Sequence, residues 1–281
     1  MLIGKLLIPS WSLISAVIVD AQNAGTQTPV VMCMKWGTLY SASYVNVLYR
    51  AVKDHLAIPH RFVCFTDDKS GIVDGVECFP LPDPLLKDAF TRMGCWPKVT
   101  LFKKDLFGLE GRALFLDLDT VVLGDLTSFL TKPGRLIAIK EWGRFADFFR
   151  KQKLSAQTSV FCFDLGRMSH IYDAYARDPE GAASDFRNEQ RFVTHSAEEL
   201  DFWDPSDVVS FKRHLLAPPL LNRCMRPKTP SKDTKVLVFH GNPRPRDVIR
   251  KDSGRWGGFW QSGSGPVPYV RDYWVKYGGV T

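Results

Sequence analysis

Two aspartates separated by one leucine, Asp117 and Asp119, stand at the carboxyl end of Ala113-Leu-Phe-Leu116, the most apolar strand-like run in the chain. Carboxylates in such a place are costly without compensating charge. Aspartate at a strand end also serves backbone hydrogen bonds. The surroundings point further, because an apolar strand in a chain with a basic second half suits a hard divalent cation held by oxygen and shared with a phosphate. Far downstream, Val236-Leu-Val-Phe239 runs into His240-Gly-Asn-Pro-Arg-Pro245. A histidine there is commonly a hydrogen-bonded structural residue. Here Gly241 permits close backbone approach and Arg244 offers a planar fork to phosphate oxygens, which together make an anion pocket. If the fold brings His240 against Asp117 and Asp119, one nitrogen and two carboxylates face one point. That set suits manganese better than magnesium or zinc.

Such residues need a scaffold that presents strand ends on one side. Pro29-Val-Val-Met-Cys-Met34 reads as a strand buried on both faces and ends at Lys35-Trp-Gly-Thr38. Val45, Leu48, Val52 and Leu56 then recur at helical steps, with Arg50, Lys53 and Asp54 elsewhere on the wheel. Arg61–Phe65 and Val76–Phe79 supply further strands around the turn-forming Thr66–Gly71. A helix is predicted after Trp96-Pro97, with Val99, Leu101, Phe102 and Leu106 on one side. Strands follow at 136–139, 159–163 and 235–239, and helices near 168–176 and 188–195. The alternation predicts an α/β layered domain whose ligands bind at the carboxyl ends of the strands. Residues 216–235, carrying Pro218, Pro219, Pro227 and Pro230, read as an ordered loop.

The chain has 281 residues, 45% hydrophobic and 24% charged, which excludes a disordered polymer and allows a substantial core. Thirty-seven basic against 30 acidic residues leave a net charge of +7. From Lys212 to Arg255 there are twelve Lys or Arg and three Asp, so the C-terminal half carries the positive field. No nucleic-acid reading motif accompanies it, and diphosphate or a lipid surface is the better partner. The six cysteines show no zinc spacing and read as reduced, partly buried thiols of a cytoplasmic protein. Met1 to Val19 is apolar but interrupted by Pro9 and three serines, so residues 1–27 are read as an extension outside the fold and 28–281 as the domain. The aromatic tail, with Trp256, Phe259, Trp260, Tyr269, Tyr273, Trp274 and Tyr277, is either a lid packed on the core or a peripheral contact with the inner face of the membrane; core packing is favoured.

Leu114-Phe-Leu-Asp-Leu-Asp-Thr-Val-Val-Leu123, the upstream Trp96-Pro-Lys98 and the late Phe239-His-Gly-Asn-Pro-Arg-Pro245, in this order across Val30 to Asp247, resemble the glycogenin-like retaining glycosyltransferases, particularly their bacterial members. The resemblance implies the GT-A (nucleotide-diphospho-sugar transferase) fold, a single mixed, mostly parallel sheet flanked by helices. It implies a hexosyltransferase-like enzyme that takes a nucleoside-diphosphate sugar, a UDP-sugar first, and passes the sugar to a glycan, lipid-linked or protein acceptor. Asp117, Asp119 and His240 would hold manganese, with magnesium as the alternative, and Asp117 would also face the ribose. Lys98 would contact the diphosphate or donor sugar, Arg244-Pro245 stands where relatives have Lys-Pro, and Gly241 belongs to the same loop. Met34, Lys35 and Tyr44 would hold uracil and ribose. The chain departs from its relatives at Ala156-Gln-Thr-Ser-Val160 and Asn188-Glu-Gln190, where Gln157, Glu189 and Gln190 are the nearest matches to donor-sugar contacts.

Two other readings fit parts of the same residues. Asp117-Leu-Asp-Thr-Val121 matches the signature of haloacid-dehalogenase-like phosphatases, with Asp117 as nucleophile and magnesium as cofactor. Against this, at least three strands precede the motif and no convincing acidic motif follows it. The chain would alternatively bind a nucleotide sugar or glycan without catalysis, which the presence of all three metal-ligand candidates and both phosphate cations disfavours.

Overall fold

The apolar run Val30–Lys35 forms strand β1, buried along its whole length. In the computed structural model the described residues are 27–142, 155–218, 221–250, 255–258 and 262–280. The apolar segment at 1–19, its flank to 26, and Phe259 and Trp260 lie outside them. Helix α1 (Ala42–His55) follows β1, with Tyr44, Val45, Val47, Leu48, Ala51 and Val52 on its buried side. It crosses to β2 (Arg61–Thr66), which pairs parallel to β1, as the strand-helix-strand pattern requires. With β3 (Glu77–Phe79), β4 (Arg112–Leu116), β6 (Leu136–Lys140), β7 (Ala156–Asp164) and β8 (Asp201–Phe202) these make one sheet in the order β3-β2-β1-β4-β7-β6-β8. Both neighbours of β7 pair with it antiparallel, while the remaining pairings are parallel. The expected mixed, mostly parallel sheet is present.

Alternate residues of β1 feed two apolar layers. Val31 and Cys33 pack toward α1, and Val30, Met32 and Met34 pack with Trp96, Val99 and Phe102 on the other face. That second layer is roofed by helices α3 (Ser169–Arg177), α4 (Pro179–Asp185) and α5 (Glu189–Ser196). Asp178 caps α4 by accepting from Gly181 N, and Asn188 caps α5 by accepting from Arg191 N. The segment Trp96–Phe102, expected as an α-helix, is a 3-10 helix with every residue buried. Trp96, Val99, Leu101 and Phe102 all join the same apolar layer, so the segment has no solvent face of the kind an amphipathic α-helix presents.

Beside the main sheet stand two smaller ones that the hydrophobic pattern does not separate from it. One has the order β5 (Thr120–Val122), β10 (Val236–Val238), β9 (Val208–Ser210). The other is the hairpin of β11 (Arg255–Gly257) and β12 (Ser262–Ser264). The three-stranded sheet matters most. Strand β5 begins directly after Asp119, β10 ends just before His240, and the two pair antiparallel with Val238 opposite Thr120. Phe239 N also donates to Asp119 O at 3.3 Å.

The described part of the aromatic tail packs on the core. Trp256, Tyr273, Trp274 and Tyr277 are buried in the layer that covers α1. Helix α6 (Pro268–Lys276) sets Trp274 edge-on against Tyr44, ring centres 4.8 Å apart. All six cysteines are free thiols, three of them buried. Among the described residues no helix is long and apolar enough to cross a membrane.

Candidate functional site

At the carboxyl ends of β1 and β4 lies a cavity of about 330 Å³. Asp117, Leu118 and Asp119 form its floor between β4 and β5. His240, Gly241 and Arg244 come from the loop after β10, brought there by the pairing of β10 with β5. Lys98 rises from the 3-10 helix, Gln157 and Ser159 from β7, and Gln190 from the first turn of α5. Met34, Trp36, Leu39 and Tyr40, at the end of β1 and in the loop beyond it, supply the apolar wall.

Lys98, Asp117, Asp119 and His240 each have a polar partner. The Lys98 ammonium lies 2.6 Å from Asp117 Oδ1 and donates to Thr158 O at 3.2 Å. Burial alone would lower the lysine's pKa, but the Asp117 charge outweighs it and holds Lys98 protonated, above the ordinary lysine range. Asp119 is buried and accepts from the Tyr40 hydroxyl at 2.9 Å. Burial first, and then the neighbouring Asp117 charge, push the Asp119 carboxyl up to about 7, although Tyr40 and Lys98 pull the other way. His240 Nε2 meets Ser210 Oγ at 3.1 Å. Burial and the nearby Lys212 and Arg213 charges lower its pKa to about 4, so the ring is neutral at physiological pH. The Arg244 guanidinium lies over the Tyr40 ring, 5.5 Å from its centre.

No family model matches the chain, and no curated protein matches it. Solved structures do. The galactosyltransferase LgtC, crystallised with donor and acceptor sugar analogues, aligns with a TM-score of 0.58 at 12% identity, over 90% of this chain and 97% of that one. An active-site mutant of LgtC aligns at 0.56 and 11% identity, over 90% and 97% of the two chains. The glycosyltransferase GlyE of Streptococcus pneumoniae TIGR4 aligns at 0.52 and 12% identity, over 89% of this chain and 60% of that chain. The chain has the GT-A fold.

Within this GT-A fold most of the residues expected from sequence converge. Met34, Lys98, Asp117, Asp119, Gln157, Gln190, His240, Gly241 and Arg244 all line the one cavity. Three do not. Tyr44 is buried between Tyr40 and Trp274, with ring centres 4.9 and 4.8 Å away, and props the wall from behind. Lys35 is buried at the end of β1 and turns to Asp68 O at 3.2 Å. Glu189 is buried and accepts from the Thr158 hydroxyl rather than lining the cavity. In each case the adjacent or nearby residue faces the cavity instead: Met34 before Lys35, Tyr40 in the loop that leads into α1 ahead of Tyr44, and Gln190 after Glu189.

Trp36, Leu39, Tyr40, Cys95 and Ser159 line the cavity without having been singled out from sequence. The signal for the first three was the run of large apolar and aromatic side chains directly after a buried strand. Tyr40 is the most consequential, because its hydroxyl holds Asp119 and its ring carries Arg244.

Among the described residues no three His, Cys, Asp or Glu side chains stand at the spacing of a ready-made metal cluster. Asp117, Asp119 and His240 share the cavity but are turned to Lys98, Tyr40 and Ser210. The donor set nevertheless fits a hard divalent cation. Two carboxylates meet in a partly buried place where their mutual repulsion already raises the pKa of one, and the imidazole beside them is neutral and able to ligate.

Proposed function

We propose that this protein is a glycosyltransferase that takes a sugar from a nucleoside diphosphate, UDP first, and passes it with retention of configuration to an acceptor hydroxyl. One observation supports this best: a single cavity gathers the acidic pair, a neutral histidine, a buried lysine and an arginine from both halves of a GT-A fold. A divalent cation held by Asp117, Asp119 and His240, manganese or magnesium, would supply Lewis-acid neutralisation of the departing diphosphate.

The protein's own residues account for the rest. Lys98 and Arg244 place fixed positive charge where negative charge develops on the leaving oxygen, in a cavity whose apolar wall of Met34, Trp36 and Leu39 keeps the local dielectric low. Tyr40 holds Asp119 and braces Arg244, so both sides of the site share one anchor. Gln190 offers amide donors and acceptors matched to sugar hydroxyls, while the Gln157 amide is tied at both ends to Ser159 beside it. The carboxylates that line the cavity are Asp117 and Asp119, both taken by the cation in this reading. Front-face attack, with the leaving phosphate accepting the acceptor's proton, therefore accounts for retention without a protein nucleophile. The acceptor is a glycan, lipid-linked or protein hydroxyl on the cytoplasmic side, where activated sugars are supplied.

The test is incubation of the protein with manganese and a panel of nucleotide sugars, following release of nucleoside diphosphate. One donor should be turned over or should protect against unfolding, and Asp119→Ala should abolish both. Full turnover in excess chelator would remove the cation from the reading. Release of inorganic phosphate from phosphomonoesters, with no sugar nucleotide consumed, would transfer the site to the phosphatase class.

A further inference from the structure

The cation that the sequence sets against the diphosphate, Lys98, already has its charge answered by Asp117 at 2.6 Å. A second lysine, Lys212, does not line the cavity but stands behind Gly241 at its edge. Strand β9 pairs parallel to β10 with Ser210 opposite Val238, and the chain then enters a π-helical turn, Phe211–Leu215. Turns with this wider spacing occur often at functional sites, because they redirect a side chain that a regular helix would point elsewhere. The turn is pinned at three points. Phe211 stacks on Phe239 with ring centres 4.4 Å apart, Ser210 N donates to His214 Nδ1 at 2.9 Å, and Arg213 N donates to Ser210 Oγ at 3.2 Å.

Lys212 is thereby aimed at the loop after β10. Its ammonium donates to the His240 carbonyl. A methyl group placed on Gly241 would lie 3.6 Å from Lys212 Nζ. Gly241 has a φ of 70°, lines the cavity and carries no side chain, so nothing at that position screens the ammonium from the cavity edge. The carbonyl is a neutral acceptor and satisfies one of three ammonium donors. Among the described residues no carboxylate lies within ion-pair distance of Lys212. Arg244 is in a similar condition: its Nε is buried and has no hydrogen-bond partner among the described residues. Two cations with unspent donors thus stand close to Gly241.

We propose that Lys212, together with Arg244, takes the diphosphate of the donor through charge-assisted hydrogen bonds, an inference that rests on the nucleotide-sugar reading above. Lys98, paired with Asp117, then adds its charge at longer range. The division follows from charge: a dianionic oxygen cluster gains most from cations whose donors are not already committed to a carboxylate.

The experiment is calorimetric titration, with manganese present, of UDP, GDP, ADP and CDP into wild type, followed by the diphosphate that binds, its parent nucleoside and inorganic pyrophosphate into Lys212→Met and Lys212→Arg. The expected result for Lys212→Met is weaker diphosphate and pyrophosphate binding by about tenfold or more, the loss of one charge-assisted hydrogen bond. Nucleoside binding should stay unchanged, and the salt dependence of diphosphate binding should become shallower. Lys212→Arg should recover most of the affinity. Wild-type affinity for the diphosphate in Lys212→Met overturns the inference. So does an equal loss for nucleoside and diphosphate with a lowered ligand-free melting temperature, which would mark Lys212 as a brace for the His240 loop. If wild type binds none of the four diphosphates, the nucleotide-sugar reading itself fails and this inference falls with it.

Discussion

Glu189→Gln should make the stability of this protein respond differently to pH. Glu189 is 1% exposed, opens helix α5, and accepts from the Thr158 hydroxyl. Burial pushes its carboxyl from 4.5 up to about 7, against the pull of the Lys98 charge. Because the folded value is the higher one, a protonated Glu189 costs nothing extra at low pH, whereas above about 7 the native state must carry a buried carboxylate. The contribution is fully present below the unfolded value and is lost as pH rises through the folded one. A rise from 4.5 to about 7, at about 1.4 kcal/mol per pH unit, comes to about 3 kcal/mol. Glutamine keeps the acceptor for Thr158 and cannot ionise. Urea unfolding of both proteins between about pH 4 and pH 9 should give similar stabilities at the acid end, with the variant gaining between 4.5 and about 7 and the difference level above that. A difference that stays constant across that range would refute the assigned burial penalty, and with it the placement of Glu189 behind the cavity wall.

Three further outcomes follow from named contacts. Tyr40→Phe removes only the donor to Asp119 Oδ2 and keeps the ring beneath Arg244, so the manganese concentration for half-maximal turnover should rise about tenfold or more; an unchanged requirement would show that Tyr40 does not orient the carboxylate. Trp274→Ala empties a buried site against Tyr44 and should cost about 3–5 kcal/mol in denaturant unfolding; a loss near zero would detach the tail from the core. Asp54 is held below the usual carboxylate range by hydrogen bonds from Lys276 and Tyr277, which tie α1 to the end of α6. Its stabilisation is present at neutral pH and lost as pH falls through the depressed value. Asp54→Asn should therefore lower the melting temperature slightly at neutral pH and not in strong acid, and identical shifts at both would contradict the assignment.

Much of the candidate site was legible before any coordinates. A short continuous apolar run rich in β-branched and aromatic residues and closed by turn residues points to a strand buried on both faces, so β1, β4 and β10 were readable, and with them the fact that Asp117, Asp119 and His240 sit at strand ends. The distinction between neighbouring residues was not. A one-residue step reverses the direction of a side chain at a strand end, which is why Met34 faces the cavity and Lys35 does not. At the start of a helix the change is a rotation of about 100°, enough to send Glu189 into the core and leave Gln190 in the cavity. Tyr44, inside α1, packs in the core, and Tyr40, in the loop that leads into the helix, lines the cavity where Tyr44 was expected.

The sequence by itself determined the layered α/β class, the strand ends that carry the acidic pair and the histidine, and the cations near them, because these depend on local hydrophobic period and residue type. Only the tertiary structure decided that β5 and β10, distant along the chain, pair, that a π-helical turn swings Lys212 toward Gly241, and that Tyr273, Trp274 and Tyr277 are buried in the layer that covers α1. Those are non-local facts. Which strands pair, and which partner answers each charge, is set by the packing of segments that no sequence window contains together.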